Sequence, residues 1–456
     1  VVKDEIRAFF EPKSVLLVGA SEIEGGLASF TLFKSIVHNM VHFYKGKTYV
    51  LDLSGKLNGA IRSFKGVPKG LDLAVLMLPP KLTLRHIRKL VDKGFKAIAV
   101  LPGGYTQEQL EQLTKITVNK RVRVLGPNSV LGVINTSNGL CISFERGIMP
   151  TKGGIALVSQ SSSVGAAMLD WAWFYGIGIS KFASLGDRVD VDEVTLLEHL
   201  VRDKDTKVIC IYVESVKRGR KFVEAVREAM KHKPICVLKG GVSRAPPRPA
   251  ISRAASFAES GEIFNAALRQ AGAICARDME ELFDIAIALD QQPPMKDVRV
   301  AIISNARGPA ALAADAINRE RLRLAKLAEN TAKAIMDRYP AADVSNPIKI
   351  TSDARAEHYK FVLRQVMADQ NVDGVMVISM LKSRLLEPED LKVVVEIARK
   401  FKKKPIVNVS MGGEDYTLIY EFLKHENLPV YDTPEKAARV LRALHQYWKS
   451  REKVRK

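Results

Sequence analysis

Short, unbroken apolar runs rich in β-branched residues recur along the whole chain, with amphipathic stretches between them. They fall at 14–18, 48–52, 73–77, 97–101 and 123–125, then at 154–158, 208–213 and 234–238, and again at 298–303, 373–378 and 405–409. None alternates apolar with polar residues as a half-exposed strand does. Strands buried on both faces read this way, which requires parallel sheets covered by helices. The intervening segments, such as 82–93, 163–175, 191–202 and 219–231, carry helical periodicity. The expected fold class is therefore α/β: a Rossmann-like doubly wound domain at 1–150, then two flavodoxin-like domains at 151–292 and 293–456. Gln292-Pro293-Pro294 marks the second boundary as a helix break. The third domain ends in a basic tail from Lys449 to Lys456.

Composition bounds the function classes. A chain of 456 residues with 47% apolar and 26% charged residues is an ordinary globular protein of several domains. No apolar run approaches a membrane span and no signal-peptide pattern precedes the first strand, so the expectation is a cytoplasmic protein with no membrane partner. Cys141, Cys210, Cys236 and Cys275 are scattered without CxxC spacing and read as buried apolar residues of a reducing compartment. The eight histidines sit on helical stretches without metal-binding spacing, so no metal is expected. The net charge of +20 is the unusual number. It favours a polyanionic partner, either RNA or the ribosome, although a dispersed basic bias of solvated faces gives the same total.

Several turns carry candidate chemistry. Gly19-Ala20-Ser21 ends the first strand and precedes a helix, where a doubly wound fold cradles phosphate. Glu22 and Glu24 follow it and would repel an anion, and glycine there also serves a plain tight turn. Pro79, Gly103 and the turn Gly126-Pro127-Asn128 fall at the carboxyl ends of later strands. Ser159-Gln160-Ser161-Ser162 precedes another helix and suits either N-capping or anion binding. The stretch Ser252-Arg253-Ala254-Ala255-Ser256 is followed by an acidic-apolar helix start at Gly261-Glu262-Ile263.

That last stretch resembles the phosphohistidine loop of the NDP-forming acyl-CoA synthetases, the family that includes the succinyl-CoA synthetase α subunit, where the usual reading is Ser-His-Thr-Gly-Ser. Arg253 stands at the histidine position. A guanidinium stays protonated and cannot carry a phosphoryl group as an imidazole does. By the same resemblance, Gly19, Ala20, Ser21, Pro79, Gly103, Gly126, Pro127 and Asn128 line a coenzyme A crevice. Ser159 to Ser162 form the loop facing the phosphorylated residue, with Ser162 in place of a glycine. Glu214 matches the glutamate that orients the histidine, and here it is expected to pair with Arg253 as a structural substitute. The segment from Gly186-Asp187 to Asp192 matches well. Arg307, Ala310 and Lys349 replace two glycines and an acidic residue, and Pro246, Pro247 and Pro249 stiffen the approach to Arg253.

The resemblance covers the whole chain and implies the layout of an archaeal-type α subunit, with nucleotide chemistry left to a separate ATP-grasp β subunit. Two functions follow. The lost histidine, the altered loops and the charge together favour a non-catalytic relative, with no catalytic residue, that binds RNA or the ribosome. The alternative is an ADP-forming acyl-CoA ligase α subunit, an acid–thiol ligase, or a coenzyme A-binding sensor.

Overall fold

In a computed structural model that describes residues 2–20, 23, 26, 28–120, 122–241, 261–383 and 386–455, the first apolar run forms a fully buried strand, β1 (Ser14–Gly19). Helix α1 (Val2–Phe10) precedes it and α2 (Phe30–Phe43) follows. Then come β2 (Lys47–Asp52), β3 (Leu73–Leu76), α3 (Pro80–Asp92), β4 (Ala97–Val100), α4 (Gln107–Lys120) and β5 (Arg123–Leu125). All five strands pair in parallel in the order β2-β1-β3-β4-β5. Thr83, His86, Ile87 and Leu90 recur at helical spacing and turn one face of α3 onto the sheet. Ile87, Leu90 and Leu113 pack there with Leu16, Val18, Leu76, Ile98 and Val100. The chain leaves β1 toward β2 and returns on the other side of β1 as β3. This reversal opens a crevice beyond the carboxyl ends of β1 and β3.

The second sheet comprises β6 (Val133–Asn135), β7 (Leu140–Cys141), β8 (Lys152–Ser159), β9 (Ile179–Ser184), β10 (Val208–Val213), β11 (Ile235–Lys239) and β12 (Ile274–Ala276). Its helices are α5 (Ser162–Phe174), α6 (Glu193–Leu200), α7 (Gly219–Ala229) and α8 (Gly261–Ala271). The order is β12-β11-β10-β8-β9-β6-β7, with the reversal now at β8 and β10. The hairpin β6–β7 lies within the stretch that the sequence places at the end of the first domain, yet it runs antiparallel onto β9 of the second sheet. Asn135 and Asn138 fasten it by donating to the Phe10 carbonyl, each at 2.9 Å. Both sheets fall in one compact unit, Val1–Arg277.

The second unit is Asp278–Lys456. It opens with α9 (Met279–Gln291), so the change of unit precedes this helix, whereas Gln292-Pro293-Pro294 follows it. Then come β13 (Arg299–Ser304), α10 (Arg307–Arg319), β14 (Arg323–Leu324), α11 (Glu329–Arg338), β15 (Ile348–Lys349), α12 (Ala356–Ala368) and β16 (Gly374–Ile378). The chain finishes with α13 (Lys392–Lys400), β17 (Ile406–Val409), α14 (Gly413–Leu423), β18 (Val430–Tyr431) and α15 (Pro434–Arg455). Its parallel sheet runs β14-β13-β16-β17-β18, with β15 beside β13. Among the described residues no helix is long and apolar enough to cross a membrane.

One polar node lies inside the first unit. Lys181 on β9, with a side chain only 1% exposed, places Nζ 2.9 Å from Asp203 and 3.4 Å from Asp205. Thr206 donates to Asp203 at 2.5 Å and Ser137 to the half-exposed Asp205 at 2.7 Å, so the buried Lys181 and Asp203 are paired and hydrogen-bonded, as burial requires. Near them His199 stacks on Phe10 at 5.1 Å between ring centroids. Burial, against a mixed field of Asp203, Lys181 and their neighbours, pushes its pKa down to about 4. The folded state thus holds this imidazole neutral. Its contribution is complete above pH 6.5 and is lost as the pH falls through about 4. Urea unfolding of wild type should show that loss, on the order of 3 kcal/mol, and His199→Gln should flatten it.

Candidate functional site

The carboxyl edge of the first sheet gathers most of the turns singled out in the sequence. Gly19 closes β1, its carbonyl accepting from Leu53 N at 2.9 Å, and Ala20 beyond it is buried. Ser21 lies outside the described residues. Pro79 is the residue before α3, and Thr83 ties that helix start to the Leu78 carbonyl at 3.0 Å. Asn128 N donates to the Pro102 carbonyl at 3.0 Å, so the Gly126-Pro127-Asn128 turn stands beside Gly103. At Gly104 φ is +87° and no atom lies within 4 Å of where a Cβ would stand. The backbone is open there to a ligand's approach.

The same turn joins the first sheet to the second. Asp187 N donates to Pro127 O at 2.8 Å and Val189 N to Gly126 O at 3.2 Å. Gly186 has φ +62°, and a Cβ on it would stand 2.1 Å from Pro127 O, so only glycine fits. Ser129 Oγ donates to Ser184 O at 2.5 Å. Asp190 then takes a bidentate pair from Arg123, at 2.9 and 3.0 Å, and a third hydrogen bond from Val124 N at 2.8 Å.

The loop from Ser159 to Ser162 lies at the reversal point of the second sheet. Ser161 caps α5 by accepting from Val164 N at 3.4 Å, and Ser162 Oγ lies 3.3 Å from Ser184 Oγ. The first-turn amides of such a helix have no intrahelical acceptors and face the carboxyl edge. Gln160 reaches across to the end of β10. Its Oε1 accepts from Glu214 N at 2.7 Å and Ser215 N at 3.1 Å, and its Nε2 donates to Ser215 O at 2.8 Å. Glu214 accepts from the Tyr212 hydroxyl at 3.1 Å. Arg253, expected beside it, lies outside the described residues.

Sequence reasoning missed the support beneath this loop. Arg188, in left-handed backbone at φ +57°, sends its guanidinium to Ser215 O at 2.8 Å, Ser215 Oγ at 3.0 Å and Glu193 at 3.3 Å. Burial raises the Glu193 pKa, and Arg188 opposes the rise. Lys217 donates to the carbonyls of Asp187 and Arg188 at 3.0 and 2.9 Å, and burial, then Arg188, lowers its pKa. Burial would also raise Asp192, but hydrogen bonds from Thr195 and Arg218 hold it below the usual carboxylate range. The acidic run Asp190, Asp192 and Glu193 beside Lys217-Arg218 was the available signal, though it reads equally as a helix start.

In the second unit, the Asn305 side-chain amide donates to Met380 O at 3.0 Å and accepts from Met380 N at 3.1 Å. Arg307 and Lys349 border a cleft of about 490 Å³ with Asn305, Ala306, Ser352 and Met380. Among the described residues no cluster of His, Cys, Asp and Glu is placed to hold a metal.

Comparison with known proteins places this geometry. The succinyl-CoA ligase like flavodoxin domain matches residues 152–289. The α subunit of an ADP-forming acetate–CoA ligase I from Pyrococcus furiosus is 31% identical, covering 98% of this chain and 99% of that one. The chain belongs to the ADP-forming acyl-CoA ligase α-subunit family. The α subunit of ligase II from the same organism is also 31% identical, over 97% and 98% of the two chains. A solved structure of the dinucleotide-forming acetyl-coenzyme A synthetase 1 of Ca. Korarchaeum cryptofilum, in complex with phosphate and ADP, superposes with a TM-score of 0.90 at 28% identity, over 99% and 98% of the chains.

These relatives overturn the expectation of a non-catalytic RNA- or ribosome-binding protein, because proteins matched from end to end are named as ligases. Net charge misled that reading: it biases solubility and non-specific association without naming a partner. In this ligase-family fold Gln160 should be structural as well as local to the site. Replacing it by leucine strands the Glu214 and Ser215 amides, so Gln160→Leu should lower unfolding stability by about 2–3 kcal/mol in a urea titration.

Proposed function

We propose that the chain is a coenzyme A-binding, ADP-forming acyl-CoA ligase α subunit that works with a separate ATP-grasp β subunit. The observation that carries this reading is the end-to-end match to α subunits of ADP-forming acetate–CoA ligases. The open crevice supports it. Gly19, Ala20, Pro79, Gly103, Gly126, Pro127 and Asn128 border one carboxyl edge, and the backbone at Gly104 leaves room for a close ligand. Coenzyme A, when bound, supplies the thiol that accepts the acyl group.

The chemistry assigned to this chain's residues is acyl transfer. Joining a carboxylic acid to a thiol at the expense of ATP needs an activated acid, and an acyl phosphate is the form that leaves phosphate behind. The thiolate sulfur attacks the acyl carbon, a carbon–sulfur bond forms, the carbon–oxygen bond to phosphate breaks, and phosphate departs with the electron pair. The free amides at the start of α5, with Ser161 and Ser162, suit the departing dianion. Gln160 and Arg188 fix the facing edge at Glu214 and Ser215. In this reading Arg253, permanently charged, is not a phosphoryl carrier.

Isothermal calorimetry with coenzyme A tests the binding half. The expected result is one saturable site per chain, weakened at least about ten-fold by Gly104→Val, since a branched side chain would stand in the open backbone approach and strain φ. No saturable heat with the wild-type chain would contradict the proposal.

A further inference from the structure

The exposed face of α3 carries Lys81, Arg85, Arg88 and Lys89, and the segment before β3 adds Lys65 and Lys69. That segment lies along the helix. Phe64 stacks on His86 at 5.0 Å, the Lys89 ammonium sits 5.2 Å above the Phe64 ring, and Lys93 Nζ donates to Val67 O at 2.6 Å. The pattern opposes the helix's own stability. Lys81 and Arg85, Arg85 and Lys89, and Arg85 and Arg88 are like charges at the spacings where helical side chains meet. Lys81 also lies in a first turn that has no acidic residue, against the positive end of the helix dipole. The helix's one acid is Asp92, in its last turn. Among the described residues none of the six cations is held in an ion pair. Their field is felt inside: burial, then Lys89 and Arg85, lowers the His86 pKa.

A helix that gains nothing from such a face points to a use beyond itself. The helix starts at Pro80, directly after Pro79 at the crevice, with Lys81 nearest it, and runs away from it to the end beside Lys69, where Gly70 N donates to Lys93 O. We propose that this basic face is an electrostatic guide that draws the polyphosphate of coenzyme A into the crevice beside it. The inference rests on coenzyme A being that crevice's ligand. Glu22 and Glu24 follow Gly19 in sequence and oppose an incoming anion, and the six cations outnumber them. A field of this kind acts on the encounter rate and leaves the bound contacts unchanged.

Stopped-flow anisotropy with coenzyme A carrying a fluorophore on its thiol separates the two rates. Three chains are compared: wild type, Lys69→Gln/Arg85→Gln/Arg88→Gln, and Lys69→Glu/Arg85→Glu/Arg88→Glu. All three positions are exposed, and circular dichroism melts check that the fold persists. At about 0.01 M ionic strength, kon should fall about ten-fold in the glutamate variant and by about half that, on a logarithmic scale, in the glutamine variant. The differences should vanish near 1 M salt, where the screening length is about 3 Å, and koff should stay constant throughout. Equal kon in all three chains that still bind the probe would overturn the guide alone, as would an effect confined to koff, which marks contact residues. Failure of the wild-type chain to bind unlabelled coenzyme A in calorimetry would overturn the coenzyme reading and the guide with it.

Discussion

The turn Gly126-Pro127-Asn128 and its hydrogen bonds to the 186–191 segment hold the first unit in its working shape. On one side Asn128 N holds Pro102 and so sets the position of Gly103 in the crevice. On the other side Pro127 O and Gly126 O receive the amides of Asp187 and Val189. These backbone bonds bring the carboxyl edges of two independent sheets into one unit. The bidentate Arg123–Asp190 pair adds a directional contact that a lysine could not reproduce. Because Gly186 touches Pro127, the two segments have almost no freedom to slide. The left-handed Arg188 follows immediately and carries this geometry to Ser215, Glu193 and the Ser159–Ser162 loop. One mechanical linkage thus relates the crevice at the edge of the first sheet to the Ser159–Ser162 loop of the second.

Electrostatics divides the same unit into two regimes. Under the loop Arg188 and Glu193 are buried and paired and Arg218 holds the buried Asp192, and elsewhere in the unit the buried Lys181 pairs with Asp203 and Asp205. Such groups fix positions, and removing one partner leaves an uncompensated charge. Along α3 the charges are exposed and unpaired among the described residues, so they act through space and through salt-sensitive rates. The surplus of +20 is therefore unevenly useful. Read as a whole-chain number it suggested a nucleic-acid partner. Resolved residue by residue, it places a cationic face along the helix that starts at the crevice of a ligase-family fold.

The architecture was largely legible in the sequence because strands buried on both faces leave unbroken apolar runs. The strands at 14–19, 73–76, 97–100, 208–213 and 374–378 were read that way to within a residue or so. The hairpin β6–β7 escaped, since β7 has two residues and its antiparallel pairing depends on contacts with Phe10 and β9 that no local pattern encodes. The turns at Gly19, Pro79, Gly103, Gly126 and Ser161 were found from residue type, and folding explains why they cluster. Arg188 was not found, because the acidic run that follows it reads equally as a helix start and does not distinguish a guanidinium that braces the loop from one in solvent. The largest error was one of weight. By resemblance Arg253 stands at the histidine position, and a guanidinium cannot carry a phosphoryl group, but that says nothing against acyl transfer on the same scaffold.

The most direct measurement of the central claim is thioester formation by the purified chain from acetyl phosphate and coenzyme A, with phosphate release followed in parallel. The expected result is acetyl-CoA and phosphate appearing in equal amounts, faster than without protein and without any need for nucleotide. Rates indistinguishable from the protein-free mixture, with coenzyme A demonstrably bound, would contradict the assignment of acyl transfer to this chain.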